Sequence, residues 1–319
     1  MSTTLESAAA PRLRRLSHGP VAFEYTGPPH APVVAVLGGI SASRHVAAND
    51  TDRTPGWWQT AVGPGLAIDT LRYRVLSIDY VTEGTTPGSP GRTADQAAAL
   101  AAALDLIGIE RLHAVVGASY GGMVALAFGA ASPHRVGRLL VISAAHESHP
   151  LATASRLLQR RVVELGLAAG RGAEALAIAR GIAMSGYGTP AEFHQRFRVA
   201  GEGDDDVAAT CRRIGEHLST AGDRFARSCS PARFLALSSS LDLHRVRPED
   251  VRVPATIVAV HGDQVVPVEQ SRELAARLGA PCRLLELESI YGHDAFLNEP
   301  ALFAPILTGV LDASTGISA

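Results

Sequence analysis

Short runs of apolar, mostly β-branched residues alternate with Ala- and Leu-rich segments along most of the chain. The apolar runs have the length of buried strands, and the Ala-rich segments have the spacing of helices. The predicted strands cover residues 33–37, 73–78, 112–116, 139–143, 256–260 and 283–287. The predicted helices cover residues 94–106, 121–131, 268–278 and 300–311. Strands that alternate with helices in this way predict an α/β fold with a mostly parallel central sheet.

One long stretch, from residue 146 to residue 250, contains no convincing buried strand. Its segments 156–183 and 207–243 are rich in Ala, Leu and Arg at helical spacing. The Gly- and Asp-rich piece between them, 201–206, predicts a loop. We therefore expect residues 146–250 to form a helical lid that is inserted into the sheet domain. The remaining residues would form this core domain, at 21–145 and 251–319.

The composition changes this picture mainly by excluding other classes of protein. The chain has 319 residues, 46% hydrophobic and 19% charged, which is enough for a large core. We therefore expect disorder only at the ends of the chain, with a flexible N-terminal segment at residues 1–20. A net charge of −2, an aromatic content of 5% and the lack of a basic run argue against a nucleic-acid partner. The first 20 residues lack the apolar segment of a secretory signal, and no run approaches the ~20 apolar residues of a membrane span. We expect a cytoplasmic protein without membrane attachment.

The sequence carries none of the usual signatures of a bound cofactor. Its three cysteines, Cys211, Cys229 and Cys282, lack CxxC spacing, which argues against a disulfide framework or a zinc site. No phosphate-binding loop, metal-ligand cluster or nucleotide fingerprint is visible. We expect neither a metal nor a resident cofactor.

A candidate nucleophile lies directly after the third predicted strand. Residues 117–121 read Gly-Ala-Ser-Tyr-Gly, which matches the G-x-S-x-G pattern, and a helix rich in small residues follows. In this context the serine lies on a sharp strand-to-helix turn, and glycines allow its neighbours to pack closely. The N-terminus of the helix favours negative charge at the serine. The pattern and its context predict Ser119 as a catalytic nucleophile.

A serine hydroxyl needs a base at neutral pH, and suitable residues follow the later strands. His293 lies in the loop after the last predicted strand, and Asp263 follows the fifth. The carboxylate of Asp263 would orient the imidazole, and the chain order Ser, Asp, His is typical of this triad on such a fold. His261 is the main alternative base, although its place at a strand end suits packing beneath Asp263 better. A complete triad argues against a non-catalytic binding protein.

Two backbone N–H groups are expected to stabilise the oxyanion that forms during acyl transfer. Tyr120 supplies one of them because it directly follows the nucleophile. The other should come from the loop after the first strand, which reads Gly-Gly-Ile-Ser at 38–41. Ile40 is the better candidate there, and Gly39 is the alternative.

Several segments together resemble the homoserine O-acyltransferases of the α/β-hydrolase superfamily. The most specific reads Gly-Trp-Trp at 56–58 and Gly-Pro-Gly-Leu-Ala-Ile-Asp-Thr-Leu-Arg-Tyr at 63–73. The segment Ala-Val-Val-Gly-Ala-Ser-Tyr-Gly-Gly-Met at 114–123 is similar to the family's nucleophile segment. Tyr-Gly-His-Asp-Ala-Phe-Leu at 291–297 is similar to its histidine segment. The resemblance covers most of the chain and is weakest in the lid.

The resemblance implies the α/β-hydrolase fold and a role in methionine biosynthesis. An acyl-CoA would acylate Ser119 and the homoserine hydroxyl would then take the acyl group, so acyl-CoA is a substrate and not a cofactor. Asp294 matches the family carboxylate that holds the acceptor's amino group. An arginine of the lid would pair with the acceptor carboxylate; Arg227 is the best match, and Arg224 and Arg233 are alternatives. Family members commonly dimerise through the lid, which implies a homodimer.

The sequence departs from the family pattern around the expected acyl pocket. Tyr120 replaces the usual Met, and Phe234 stands where an aromatic residue with a hydroxyl is commoner. Residues 38–42 read Gly-Gly-Ile-Ser-Ala, which together with Arg44 resembles the branch that uses succinyl-CoA. Arg44 would then bind the second carboxylate of the donor, and succinyl is slightly favoured over acetyl. Serine as the acceptor, and an esterase or thioesterase with the same triad, are the alternatives.

Overall fold

The computed structural model describes residues 14–16, 19–84, 89, 91–199 and 203–313. Its strands are β1 (Arg14–Leu16), β2 (Gly19–Val21), β3 (Phe23–Thr26), β4 (Val33–Leu37), β5 (Val62–Gly63), β6 (Ile68–Asp69), β7 (Arg74–Ile78), β8 (Ala114–Ala118), β9 (Leu139–Ile142), β10 (Ala255–His261) and β11 (Cys282–Glu288). Its helices are α1 (Thr93–Ile107), α2 (Tyr120–Ala131), α3 (Pro150–Ala168), α4 (Gly172–Ser185), α5 (Pro190–Phe197), α6 (Asp204–Ser228), α7 (Pro231–Asp242), α8 (Val268–Arg277), α9 (Ala295–Asn298) and α10 (Pro300–Asp312).

Seven strands form the central sheet, in the order β11-β10-β9-β8-β4-β7-β3. All neighbours are parallel except β3, which pairs antiparallel with β7 at one edge. Of the N-terminal segment that we predicted to be flexible, residues 1–13, 17 and 18 lie outside the described residues. The short strands β1 and β2 pair with each other. The mostly parallel sheet of the predicted α/β-hydrolase fold is confirmed.

The sheet is buried on both faces, which explains why its central strands are apolar without alternation. Every residue of β4 is buried. Ala35 and Leu37 belong to the core on the side of α1, α2 and α8, whereas Val34 and Val36 belong to the core on the side of α10. Successive side chains of a strand point to opposite faces, so one apolar run supplies both cores.

All six predicted strands are present; β4 has the predicted bounds, and the other five shift at one or both ends. The largest shift is in β8, which begins at Ala114 and not at residue 112. Leu112 forms only an isolated bridge with Val136, whereas the ladder with β4 begins where Val34 pairs with Ala114. The antiparallel strand β3 was not predicted, because it has only four residues and three of them are half-buried.

Five helices, α3 to α7, lie between β9 and β10 in the chain, and we call them the lid helices. The predicted loop at 201–206 is wrong in its second half, because α6 begins at Asp204; residues 201 and 202 lie outside the described residues. Gly203 is the N-cap, and its N–H donates to the carboxylate of Asp206 at 3.4 Å. Acidic residues favour the first turn of a helix, so the Asp-rich piece starts the helix instead of preceding it.

The described part of the chain lacks both a membrane-spanning helix and a cluster of metal ligands. None of its helices is both long and apolar enough to cross a membrane. No group of three or more His, Cys, Asp or Glu side chains in the same residues lies close enough together to hold a metal ion.

Candidate active site

Ser119 lies at the sharp turn between β8 and α2, as the N-cap of that helix. Its φ of 54° and ψ of −121° are unusual for a residue with a side chain, and such strain is typical of a nucleophile elbow. The turn is held by the N–H of Ser119, which donates to the carbonyl of Ile142 at 2.8 Å. The hydroxyl therefore stands at the carboxyl end of the sheet, in front of the N-terminus of α2.

The glycines of the G-x-S-x-G segment are required by close packing. A Cβ on Gly121 would lie 2.1 Å from the carbonyl oxygen of Leu37, and a Cβ on Gly117 would lie 2.2 Å from that of Gly121. Both distances are too short for any side chain. The first turn of α2 can therefore press against β4 and β8 only because these positions lack a side chain.

The structure brings Ser119, His293 and Asp263 together in a chain of hydrogen bonds. The Nε2 atom of His293 lies 2.8 Å from Ser119 Oγ, and its Nδ1 atom lies 2.8 Å from Asp263 Oδ2. The other carboxylate oxygen of Asp263 accepts from the N–H groups of Val265 and Val266, at 2.8 and 2.9 Å. This is the geometry that a base needs to activate a serine. The alternative base, His261, instead contacts Glu286 at 3.0 Å.

The loop that carries His293 is held by the turn between α4 and α5. The N–H of His293 donates to the carbonyl of Tyr187 at 2.9 Å, and the Thr189 hydroxyl donates to the carbonyl of Ile290 at 2.6 Å. Gly292 has a φ of 52°, and a Cβ there would lie 2.7 Å from Tyr187 O. The glycine before the histidine therefore allows the loop to approach this turn.

The turn after β4 lies against the nucleophile. A Cβ on Gly39 would lie 4.0 Å from Ser119 Oγ. Within the described residues, the N–H groups of Ile40 and Tyr120 have no protein acceptor. Tyr80 stabilises this turn, because its buried hydroxyl donates to the carbonyl oxygen of Gly38 at 2.6 Å. Two N–H groups left without acceptors beside a nucleophile fit the predicted oxyanion hole.

A cavity of about 530 Å³ extends from Ser119 and His293 between the sheet and the lid helices. Its volume falls within the usual range for small-molecule sites. The lining combines small and large apolar residues with twelve polar side chains: Ser41, Ser119, Ser155, Arg156, Gln159, Arg180, Ser185, Tyr187, Ser238, Gln264, His293 and Asp294. The cavity can enclose a small polar substrate next to the triad.

Comparison with known proteins places the chain in a family. Residues 32–165 match the family model of the alpha/beta hydrolase fold. Over 292 residues the chain is 42% identical to the homoserine O-succinyltransferase of Xanthomonas campestris pv. campestris, covering 91% of this chain and 78% of that protein. It belongs to the homoserine and serine O-acyltransferases. The resemblance inferred from sequence motifs is confirmed.

One further relative supports this family, and one solved structure supports the fold. The chain is 32% identical to a serine O-succinyltransferase of Litchfieldella anticariensis, over 87% of each chain. The crystal structure of a homoserine O-acetyltransferase from Bacillus anthracis superposes with a TM-score of 0.82 at 19% identity, covering 93% of this chain and 94% of that one. The second likeness shows the fold only.

In this acyltransferase, Asp294 lines the cavity next to the predicted base, as expected from the sequence. Burial raises the pKa of its carboxyl group, and the charges of His293 and Arg180 partly offset that effect. The pKa of His293 is itself raised: burial disfavours the imidazolium, but the charge and hydrogen bond of Asp263 and the charge of Asp294 outweigh it.

The structure does not bring Arg227 to the cavity of the acyltransferase. Arg227 is exposed on α6, and Arg224 is exposed as well. The third candidate, Arg233, donates to the carbonyl of Tyr80 and does not line the cavity. The sequence match was loose by a residue, and a helix of 25 residues turns most of its side chains away from any one pocket.

Two arginines do line the cavity, Arg156 of α3 and Arg180 of α4, and the sequence analysis missed both; the charge of Arg180 acts on Asp294. The guanidinium of Arg180 lies 5.2 Å from the ring centroids of both Tyr187 and Phe225, and it forms no hydrogen bond with the other described residues. The sequence around Arg180 holds a feature that could have singled it out. Arg180 is the only charged residue between Glu174 and Glu192, within an Ala-, Ile- and Gly-rich helix.

The departures from the family pattern do not all border the pocket. Phe234 and residues 39–42 line the cavity, but the side chain of Tyr120 is fully buried below it, with its hydroxyl 2.6 Å from Ser240 Oγ. Arg44 does not line the cavity either. Its backbone N–H and its guanidinium both bond to the carboxylate of Asp79, so it is already paired.

Proposed function

We propose that this protein is a homoserine O-succinyltransferase that works through an acyl-serine intermediate. The observation that carries the proposal is the hydrogen-bonded chain from Ser119 through His293 to Asp263, at the wall of a cavity that also holds Asp294 and Arg180. A nucleophile with its base serves acyl transfer, and a carboxylate with a free guanidinium suits an amino-acid acceptor. The 42% identity to a homoserine O-succinyltransferase supports both parts.

In the first half-reaction the succinyl group moves from coenzyme A to the enzyme. His293 Nε2 takes the proton of Ser119 while Oγ attacks the thioester carbonyl. The N–H groups of Ile40 and Tyr120 stabilise the negative oxygen of the tetrahedral intermediate. The C–S bond then breaks, the thiol leaves with the proton from His293, and an ester at Ser119 remains.

In the second half-reaction the homoserine hydroxyl replaces the thiol. His293 takes the proton of that hydroxyl, whose oxygen attacks the ester carbonyl through the same oxyanion geometry. The bond to Ser119 Oγ breaks, and His293 returns the proton to the serine. Coenzyme A enters and leaves as a substrate, and both steps use only side chains and backbone N–H groups, so we propose no resident cofactor.

Asp294 and Arg180 hold the acceptor. The carboxylate of Asp294 pairs with the amino group, and the planar guanidinium of Arg180 pairs with both oxygens of the acceptor carboxylate. Homoserine is proposed as the acceptor because a relative that is 42% identical over 91% of this chain is named for it. Serine is one methylene shorter and is the main competing acceptor.

We also propose that the enzyme acts in the cytoplasm as a homodimer. Its three free cysteines suit a reducing compartment. The lid helices expose several large apolar side chains, among them Leu151, Leu158 and Leu165 of α3, at 64%, 67% and 55%. Residues seven apart lie on one face of a helix, so these leucines form an apolar stripe that a second copy could cover.

The test is thiol release from succinyl-CoA and acetyl-CoA, each with homoserine, with serine or without an acceptor. We expect steady release only with homoserine, faster with succinyl-CoA, and loss of at least about 10⁴-fold in Ser119→Ala. Steady release without an acceptor would identify a thioesterase. A higher rate with serine, or with acetyl-CoA, would replace the proposed acceptor or donor.

A further inference from the structure

One wall of the cavity carries polar side chains that the proposed chemistry does not use. These are Ser155, Arg156 and Gln159 of α3 and Ser238 of α7, and all four line the cavity. We call them the α3–α7 polar patch. Gln159 donates to Ser155 Oγ at 3.1 Å, so the patch is connected internally. Most of the remaining wall is apolar, so these side chains mark a place for a polar part of a substrate.

Arg156 is the cation of this patch, and its guanidinium is only partly engaged. Its Nε donates to Asp242 Oδ1 at 2.7 Å, and its Nη2 donates to the hydroxyls of Ser148 and Thr153. Its Nη1 has no hydrogen-bond partner among the described residues. The residue is only 8% exposed. A buried guanidinium therefore keeps two N–H donors for a group that the protein does not supply.

The positive charges around Arg156 also outnumber the negative ones. Asp242 is shared with Arg160, whose Nη1 lies 2.7 Å from Asp242 Oδ2. The side chains of Arg156, Arg160 and Asp242 are each exposed by 13% or less, so two buried guanidinium groups share one carboxylate. Buried charges are costly unless they are paired, so this cluster favours an anion in the cavity.

We infer that the α3–α7 polar patch binds the terminal carboxylate of the succinyl group, with Arg156 Nη1 as its main donor. The inference rests on the proposed function. Arg180 and Asp294 already match the two charges of the amino-acid acceptor, which leaves one cation of the cavity unassigned. An acetyl group carries no charge that could pair with it, whereas a succinyl group carries one carboxylate. Arg156 thus replaces Arg44, which is paired with Asp79.

The experiment compares succinyl-CoA with butyryl-CoA, which has a chain of the same length without the carboxylate. Homoserine is the acceptor, and the proteins are the wild type, Arg156→Gln, Arg156→Lys and Arg44→Gln. We expect the wild type to prefer succinyl-CoA and Arg156→Gln to lose about 10- to 100-fold in kcat/KM with succinyl-CoA. The rate with butyryl-CoA should change little. Arg156→Lys should keep part of the preference because it keeps the charge but not the planar fork. Arg44→Gln should keep all of it.

Three results would overturn the inference. Equal losses with both donors in Arg156→Gln would show that Arg156 only supports the fold. Equal use of both donors by the wild type would show that the carboxylate is not recognised. A loss of kcat/KM in Arg44→Gln with succinyl-CoA but not with butyryl-CoA would show that Arg44 binds the carboxylate instead. If Arg156→Gln does not fold, the ratio of kcat/KM with succinyl-CoA to kcat/KM with butyryl-CoA is compared between Arg156→Lys and the wild type. A lower ratio in Arg156→Lys would support the inference, and an unchanged ratio would overturn it. Failure of the proposed function is visible separately, as wild-type thiol release that does not depend on homoserine.

Discussion

Asp294 lies close enough to His293 and Arg180 for their charges to act on its ionisation, and its own charge acts on that of His293. Asp294 helps to raise the pKa of His293, and the charges of His293 and Arg180 oppose the effect of burial on Asp294. The ammonium group of a bound acceptor would be a further positive charge next to Asp294, and it would lower the pKa of that carboxyl group. If the acceptor binds as proposed, its binding and catalysis are therefore coupled through these neighbouring side chains.

The raised pKa of His293 predicts the pH dependence of acylation. Burial favours the neutral imidazole, but the charges of Asp263 and Asp294 outweigh it, so the pKa lies above 6.5. Only the neutral imidazole can accept the proton of Ser119, so activity should fall as the pH drops through that raised pKa. In Asp294→Asn the midpoint of this acid limb should move to lower pH. Stopped-flow thiol release from succinyl-CoA between about pH 5 and pH 9 measures it.

The matched control for this profile is Asp223→Asn, which removes an exposed carboxylate on α6. It should leave the midpoint unchanged. An unchanged midpoint in Asp294→Asn as well would mean that Asp294 does not act on His293.

Arg180 and Arg227 provide a second prediction, because only Arg180 lines the cavity. Arg180→Gln should raise the KM for homoserine by about 10- to 100-fold, since a charged hydrogen bond to the acceptor carboxylate is lost. The acylation burst with succinyl-CoA alone should stay close to that of the wild type. Arg227→Gln should change neither quantity. A raised KM in Arg227→Gln, with none in Arg180→Gln, would restore the prediction made from the sequence.

Among the strands and helices, α2 is the element on which the nucleophile depends. It packs against β4 and β8 through glycines, and its N-terminus begins at Ser119. Ten of its twelve residues are buried, so it can hardly move without disturbing the sheet. The elbow therefore keeps its strained geometry because a rigid sandwich surrounds it.

Two glycine substitutions test this packing. Gly121→Ala places a Cβ 2.1 Å from Leu37 O and should lower the free energy of unfolding by about 3 kcal/mol or more. Gly215→Ala lies inside α6 with no atom within 4 Å of the new Cβ, and should raise it by about 0.5–1 kcal/mol. Thermal and urea unfolding measure both. Similar stability of the two variants would contradict the tight contact between α2 and β4.

In the molecule overall, the lid helices pack mainly against one another and only partly against the sheet domain. The contacts of α4 with α3 and α6 are among the most extensive in the structure. A small buried cluster with Val163, Leu176 and Phe225 joins them. The helix α3 also carries the exposed leucine stripe, of which Leu151 and Leu158 line the cavity as well.

If a second copy of the chain covers this leucine stripe, a charged residue placed in it should prevent dimer formation. Sedimentation velocity of the wild type at micromolar concentration should give twice the chain mass of 33.3 kDa. Leu165→Asp should shift it to 33.3 kDa, because a charge would be buried in an apolar contact. Leu71→Asp, which replaces an even more exposed leucine outside the lid helices, should leave it a dimer. A wild type that sediments as one chain would end the dimer proposal.

Local patterns in the sequence determined the strands, the elbow and the order of the triad residues. The apolar runs predict strands because a strand in a sheet that is covered on both faces must be apolar along its whole length. The glycines around Ser119 predict the elbow because backbone contact excludes a Cβ. Ser119, Asp263 and His293 could be chosen because each follows a strand, and parallel strands end at one edge of the sheet.

Only the tertiary structure decided which lid residues face the cavity. Arg180, Arg156 and Arg227 all lie on helices with many charged or apolar neighbours, and local spacing does not say which face of such a helix meets the sheet domain. The packing of α3, α4 and α6 on one another sets that rotation, and it depends on contacts between residues far apart in the chain. For this reason the triad was predictable from sequence, and the arginines of the lid helices that line the cavity, Arg156 and Arg180, were not.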